Sequence, residues 1–230
     1  MKIGALNKTS LLDYPGKVSA IIGTQGCNMH CPWCHNFHLI PYEFTKHSEM
    51  IRGEDVLGFL DQRKNFLDGI VITGGEPTIQ SDLPELCENV KKIGLAVKID
   101  TNGTNPAVLN KLLKNELVDY IAMDIKSDLD HYNQLFRESM DVHAILESID
   151  IIMSSDTPYE FRTTCVGPFV TIDNIDQIGM LIKGAKSYFL QKCNQIKNMD
   201  NSSNYEIVDE NRLVELKQRA DSYALTCQIR

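Results

Sequence analysis

The 230-residue sequence predicts an α/β fold, a partial (β/α)6 TIM-like barrel, on three observations. Short apolar runs alternate with stretches of helical periodicity, the pattern of parallel βα units. Every apolar run finishes on residues able to bind or react, and in a βα barrel the carboxyl ends of all strands share one face. Six such units can be found, too few to close an eight-stranded barrel. An opening in the side, wide enough for a polypeptide, is therefore expected.

Taken in order, the first predicted strand is "KVSAIIGT" (17–24), which ends just before Cys27. The second, "GIVITGG" (69–75), leads to Gly74, Gly75 and Glu76, and the third, "LAVKIDTNG" (95–103), carries Asp100 and Thr101. The fourth, "DYIAMDIK" (119–126), carries Asp124 and Lys126. The fifth, "YEFRTTCV" (159–166), holds Arg162, and the sixth, "SYFLQKC" (187–193), ends with Gln191 and Lys192. Helices are predicted at about 54–66, 82–93, 106–115, 140–153 and 173–184, where apolar residues recur at helical spacing. Residues 194–211, rich in Asn, Asp and Ser, read as a loop, and a last helix follows at about 211–223. One domain is expected over 1–230, with its core at about 15–193 and a C-terminal loop and helix at 194–230.

Composition narrows the function. A hydrophobic content of 43% with 23% charged residues is that of a globular protein, and no apolar run reaches the ~18 residues of a membrane span. "MKIGALNKTS" lacks the apolar stretch of a secretory signal, so a cytoplasmic location is expected. A formal charge of -8 argues against nucleic acid as a partner, because phosphate binding needs a basic face. Seven cysteines, three clustered and Cys87, Cys165, Cys193 and Cys227 scattered, fit a reducing compartment and a metal site better than disulfides.

The clustered thiols are Cys27, Cys31 and Cys34, in "QGCNMHCPWCHN" (25–36). Two metal chemistries suit them. A structural zinc would take His30, His35 or His38 as a fourth ligand. An iron–sulfur cubane would be held at three corners, leaving the fourth iron open to something that is not protein. At the other strand ends, paired glycines let a backbone approach closely, and Glu76 can accept from an ammonium group. Asp100, Thr101 and Asn102 also suit a helix-capping turn, and Asp124 with Lys126 suits a surface ion pair. Arg162, a cation in a strand-like stretch, needs a partner, with a cofactor carboxylate, the cluster surroundings or Glu76 as candidates.

The CxxxCxxC spacing with Trp33 before its third cysteine, followed by "GGEP" at 74–77, resembles the signature of the radical S-adenosylmethionine enzymes. From about residue 5 to residue 193, "LLDYPGK", "VKIDTNG", "VDYIAMDIK" and "EFRTT" extend the likeness to the activating proteins of glycyl radical enzymes. Within these the sequence is most similar to the branch that activates anaerobic ribonucleoside-triphosphate reductase. The resemblance implies one 4Fe-4S cluster on Cys27, Cys31 and Cys34. It implies S-adenosylmethionine bound by Trp33, Gly74, Gly75, Glu76, Asp100, Thr101, Asp124, Lys126, Arg162 and Gln191, with Lys126 on its carboxylate and Gln191 at its ribose or adenine edge. A monovalent cation between Asp100 and Asp124 is a further expectation.

The implied chemistry is reductive cleavage of S-adenosylmethionine to a 5'-deoxyadenosyl radical, which takes a hydrogen from a glycine Cα of the partner enzyme. No catalytic side chain beyond the cluster and cofactor is expected. A flavodoxin-like electron donor is implied as well. Residues 35–73 contain no cysteine, so a single cluster is expected and the other four thiols read as buried. The turn "CVGPF" (165–169) and the Asn-rich segment 194–204 depart from the family's pattern where a partner would dock. Two other readings compete: a radical enzyme acting on a small molecule, resembling carboxydeazaguanine synthases, and a zinc module that binds protein.

Overall fold

The computed structural model describes residues 1–44, 50–194, 196 and 205–230. Strands β1 (Ile3–Ser10), β2 (Ser19–Thr24), β3 (Gly69–Gly74), β4 (Ala96–Thr101), β5 (Tyr120–Asp124), β6 (Tyr159–Gly167), β7 (Tyr188–Lys192), β8 (Glu206–Ile207) and β9 (Cys227–Ile229) form one sheet system. Helices α1 (Gly53–Arg63), α2 (Leu83–Ile93), α3 (Pro106–Lys114), α4 (Leu129–Tyr132), α5 (His143–Met153), α6 (Ile175–Leu181) and α7 (Glu210–Ala220) connect them.

The six predicted strands are β2 to β7, each parallel to the next. In β3 Ile70, Val71 and Ile72 are all buried, as expected of a parallel strand covered on both faces. The helices bury one stripe: in α2 this is Leu83, Leu86, Cys87 and Val90, and Gly94 closes the helix in the left-handed region at φ 95°.

Three strands lie outside the predicted six. β1 runs antiparallel to β2, β9 continues the parallel array beyond β7, and β8 pairs antiparallel with β6. The order β1-β2-β3-β4-β5-β6-β7-β9 leaves the sheet unclosed, with β1 and β9 as its two edges. Tyr14, from the turn joining β1 to β2, is buried against Tyr120 with ring centroids 6.0 Å apart. Of the predicted loop 194–211, residues 195 and 197–204 lie outside the described residues, and 206–207 form β8. The last helix occupies 210–220. No helix among the described residues is long and apolar enough to cross a membrane.

Candidate functional site

The loop after β2 turns back on itself. Gly26, at φ 101°, donates to Leu39 O at 2.7 Å, and Cys27 N donates to Ile40 O at 3.0 Å. Cys34 N bonds Cys31 O at 3.0 Å, closing the turn that carries Trp33. His30 N reaches Leu135 O at 2.8 Å, docking the loop on the segment after α4. Cys31 is buried, Cys27 and Cys34 are half-buried, and all three line a cavity of about 630 Å³ at the carboxyl ends of the strands. Burial pushes the thiol of Cys27 up to about 12 and that of Cys31 to about 11, and raises Cys34 as well. The Lys126 ammonium opposes the rise at all three. Thiols so placed ionise when a metal offers them positive charge.

His30, His35 and His38, the candidate fourth zinc ligands, are exposed. Among the described residues no three His, Cys, Asp or Glu side chains gather closely enough to hold a single metal ion. Cys87, Cys165, Cys193 and Cys227 are buried, as expected, and do not line the cavity.

At the end of β3 the glycines serve the cysteine loop. Gly74 sits at φ 109°, and a Cβ on Gly75 would stand 2.0 Å from Gly26 O. Gly75 N donates to Thr24 O and Glu76 N to Gly26 O, both at 2.8 Å. The Glu76 side chain, expected to await an ammonium, is 1% exposed and already accepts from four donors. These are Thr78 N (3.0 Å), Thr78 Oγ1 (2.6 Å), Thr101 Oγ1 (2.7 Å) and Asn102 N (2.7 Å). Burial raises its pKa and those bonds oppose the rise. Thr101 and Asn102 thus build a turn around Glu76, and Asn102 Oδ1 accepts from Thr104.

The remaining strand ends meet in a charged chain. Lys98 pairs with Asp100. Arg162 reaches Asp100 Oδ2 at 3.1 Å and Asp124 Oδ1 at 2.7 Å, and Lys126 pairs with Asp124 Oδ2 at 2.9 Å. The partners of Arg162 are therefore two aspartates, not Glu76. Where a monovalent cation was expected between Asp100 and Asp124, the guanidinium stands instead. Lys98, Arg162 and Lys126 thus alternate with Asp100 and Asp124 along one chain, and Lys126 is its end nearest the thiols. Gln191 lines the cavity and approaches Thr164 Oγ1.

Sequence reasoning missed Lys98, 2% exposed, although its place two residues before Asp100 puts both on one face of β4. It also missed the buried Glu160, which accepts both arms of Arg230 at 2.9 and 3.0 Å. Arg230 and Asp13, brought from opposite edges of the sheet, line the same cavity.

The radical SAM superfamily signature matches residues 21–182. A Methanocaldococcus jannaschii protein named as a candidate glycyl-radical enzyme activating enzyme is 36% identical over 220 residues, 93% of this chain and 89% of that protein. A 7-carboxy-7-deazaguanine synthase of Aquifex aeolicus is 36% identical over 90 residues, 39% of this chain and 38% of that enzyme. Among solved structures, Streptococcus suis SuiB bound to the precursor peptide SuiA has the same fold at 15% identity, with a TM-score of 0.62 over 91% of this chain and 48% of SuiB. With three thiols on one loop, a cavity at the strand ends and a match over most of its length, the chain belongs to the radical SAM superfamily, whose members use a 4Fe-4S cluster and S-adenosylmethionine.

Proposed function

We propose that the protein is an activase that installs a glycyl radical on a partner enzyme, which we take to be an anaerobic ribonucleoside-triphosphate reductase. The relative that matches across nearly the whole chain carries an activating-enzyme name, whereas the deazaguanine synthase matches over 39% of it. The observation that carries the cofactor assignment is the donor set. One loop brings three thiols to a cavity where no fourth cysteine lies and where Lys126 and Arg162 also stand.

That set fits a cluster held through Cys27, Cys31 and Cys34, with S-adenosylmethionine at the remaining iron. When bound, the two groups supply reductive carbon–sulfur cleavage and the hydrogen-atom abstraction that follows. Lys126 and Arg162 would offer N–H donors to the cofactor's carboxylate, and Asp124 fixes the position of both. Gly74 and Gly75 leave the backbone bare beside the cysteine loop, and Glu76 with Thr101 and Asn102 keeps that turn rigid. Trp33 and Gln191 wall the cavity where the adenosyl moiety fits. Asp13 and Arg230 line it from the open side of the barrel, where we place the partner's glycine loop. Reducing equivalents come from a flavodoxin-like donor.

The test is anaerobic reconstitution with iron and sulfide, followed by mixing with S-adenosylmethionine, a reductant and the reductase. A glycyl radical doublet in the electron paramagnetic resonance spectrum is expected, and Lys126→Ala should weaken cofactor binding more than cluster assembly. Cofactor cleavage without any doublet would remove the activase reading, and one equivalent of zinc in a colourless protein would remove the cluster as well.

A further inference from the structure

Trp33, the chain's single tryptophan, lies between Cys31 and Cys34 and is 3% exposed. Its indole Nε1 is buried without a hydrogen-bond partner among the described residues. Packing alone therefore orients the ring, and its aromatic neighbour is Phe169, with centroids 5.0 Å apart and planes inclined at 55°. Phe169 belongs to the turn after β6, is itself 2% exposed, and is flanked on another side by Tyr205 at 5.9 Å.

The backbone of that turn is held at one atom. Phe169 O accepts from Ser127 Oγ at 2.6 Å and from Asn174 Nδ2 at 3.0 Å. Asn174 Oδ1 in turn accepts from Thr171 N at 2.8 Å, and its Nδ2 also donates to Asp128. Asp128 is locked by His131 Nδ1 at 2.8 Å and by the amides that begin α4. Ser127 and Asp128 directly follow Lys126, so one short segment supplies both the charged wall of the cavity and the clamp on Phe169.

We propose that Ser127 and Asn174 are positioning residues: through the Phe169 carbonyl they press its ring on Trp33 and so fix the turn bearing Cys31 and Cys34. A mobile indole would let the two thiols drift apart and open the wall beside them to water. The parts of a site that orient its ligands are commonly worth one to two orders of magnitude in metal retention.

The experiment compares wild type with Ser127→Ala, Ser127→Thr and Phe169→Leu. Acrylamide quenching of tryptophan emission in the full chain before iron loading reads Trp33 alone. In both Ser127→Ala and Phe169→Leu the quenching constant is expected to rise about threefold, as local opening admits the quencher. Iron loss to a chelator from the anaerobically reconstituted protein is expected to be about tenfold faster. Ser127→Thr, which keeps the hydroxyl, should restore both values. Unchanged quenching in Ser127→Ala overturns the proposal, as does faster iron loss with unchanged quenching. If Phe169→Leu fails to fold, Ser127→Ala decides alone, since it removes one oxygen atom. The iron arm rests on the cluster assignment and the fluorescence arm does not. A wild type that takes up no iron would sink that assignment while quenching still decides the clamp.

Discussion

Arg162 Nε donates to Asp124 Oδ1 at 2.7 Å, tying β6 to β5 at the carboxyl end of the sheet. The same guanidinium reaches across to Asp100 on β4, so one side chain joins three consecutive strands. A planar fork with several donors in fixed directions is suited to serve two carboxylates at once. Because Arg162 is 12% exposed and Asp100 14%, neither charge is well solvated without the other.

Arg162→Ala is therefore expected to cost about 1.5–3 kcal/mol, since Asp100 and Asp124 each lose a charge-assisted bond but keep Lys98 and Lys126 respectively. Arg162→Lys keeps the charge but loses the fork, and its loss should lie between alanine and wild type. Urea unfolding at neutral pH measures both. A lysine variant as unstable as alanine would mean that geometry, not charge, carries the effect.

The same network gives a pH dependence. Burial would raise the pKa of Asp124, but Arg162 and Lys126 outweigh it and hold the carboxyl well below its usual value. A group whose pKa is depressed by folding contributes stability above its unfolded value, and that stability is lost as pH falls. Stability should thus be level from neutrality to about pH 5 and decline below about pH 4, where the unfolded aspartate begins to bind protons first. Asp124→Asn should lower stability at neutral pH and flatten this decline. Urea midpoints at a series of pH values compare the two slopes.

How much of this was legible follows from the length scale of each signal. The barrel strands announce themselves by short apolar runs, continuous in β3, "GIVITG", and interrupted by charged residues in β4 and β6. β1, "IGALNKTS", alternates weakly and ends polar, and β9 has three residues, so neither carries a pattern that a window can detect. The three thiols are readable because one loop carries them. The coupling of Glu76 to Thr101 and Asn102 crosses 25 and 26 positions, and that of Glu160 to Arg230 crosses 70. No local rule specifies such partners. Arg162 was recognised as a cation in need of a counter-charge, yet its aspartates emerge only when β4, β5 and β6 are laid side by side.

The thiols of the cysteine loop should be inert at ordinary pH when no metal is bound. With Cys27 pushed up to about 12 and Cys31 to about 11, the thiolate fraction at pH 8 is orders of magnitude below that of a free cysteine. Iodoacetamide should label Cys27 in the metal-free native protein about a hundredfold more slowly than after unfolding in urea. The native rate should climb about tenfold per pH unit from pH 8 to 10, without levelling off, because only the thiolate reacts. Peptide mass spectrometry of timed samples gives the rates by residue. A plateau near pH 9 would show that the thiol titrates like a free one.

Gly75→Ala and Gly58→Ala make opposed predictions from one kind of measurement. A Cβ at Gly75 would stand 2.0 Å from the carbonyl oxygen of Gly26 and 3.0 Å from that of Leu39, both backbone atoms of the cysteine loop. Backbone cannot rotate aside as a flexible side chain does, so the loop and the end of β3 must separate, breaking the bond from Glu76 N to Gly26 O. A loss of about 3 kcal/mol is expected, together with poor iron retention, because the displaced segment carries Cys27. At Gly58, exposed in the middle of α1, nothing lies within 4 Å of the added carbon. Alanine there only restricts the unfolded chain and favours helix, so a gain of about 0.5–1 kcal/mol is expected, with iron content unchanged. Thermal melts and iron assays on the two variants separate the alternatives. Equal effects at both positions would mean that the close approach of β3 to the cysteine loop does not organise the site.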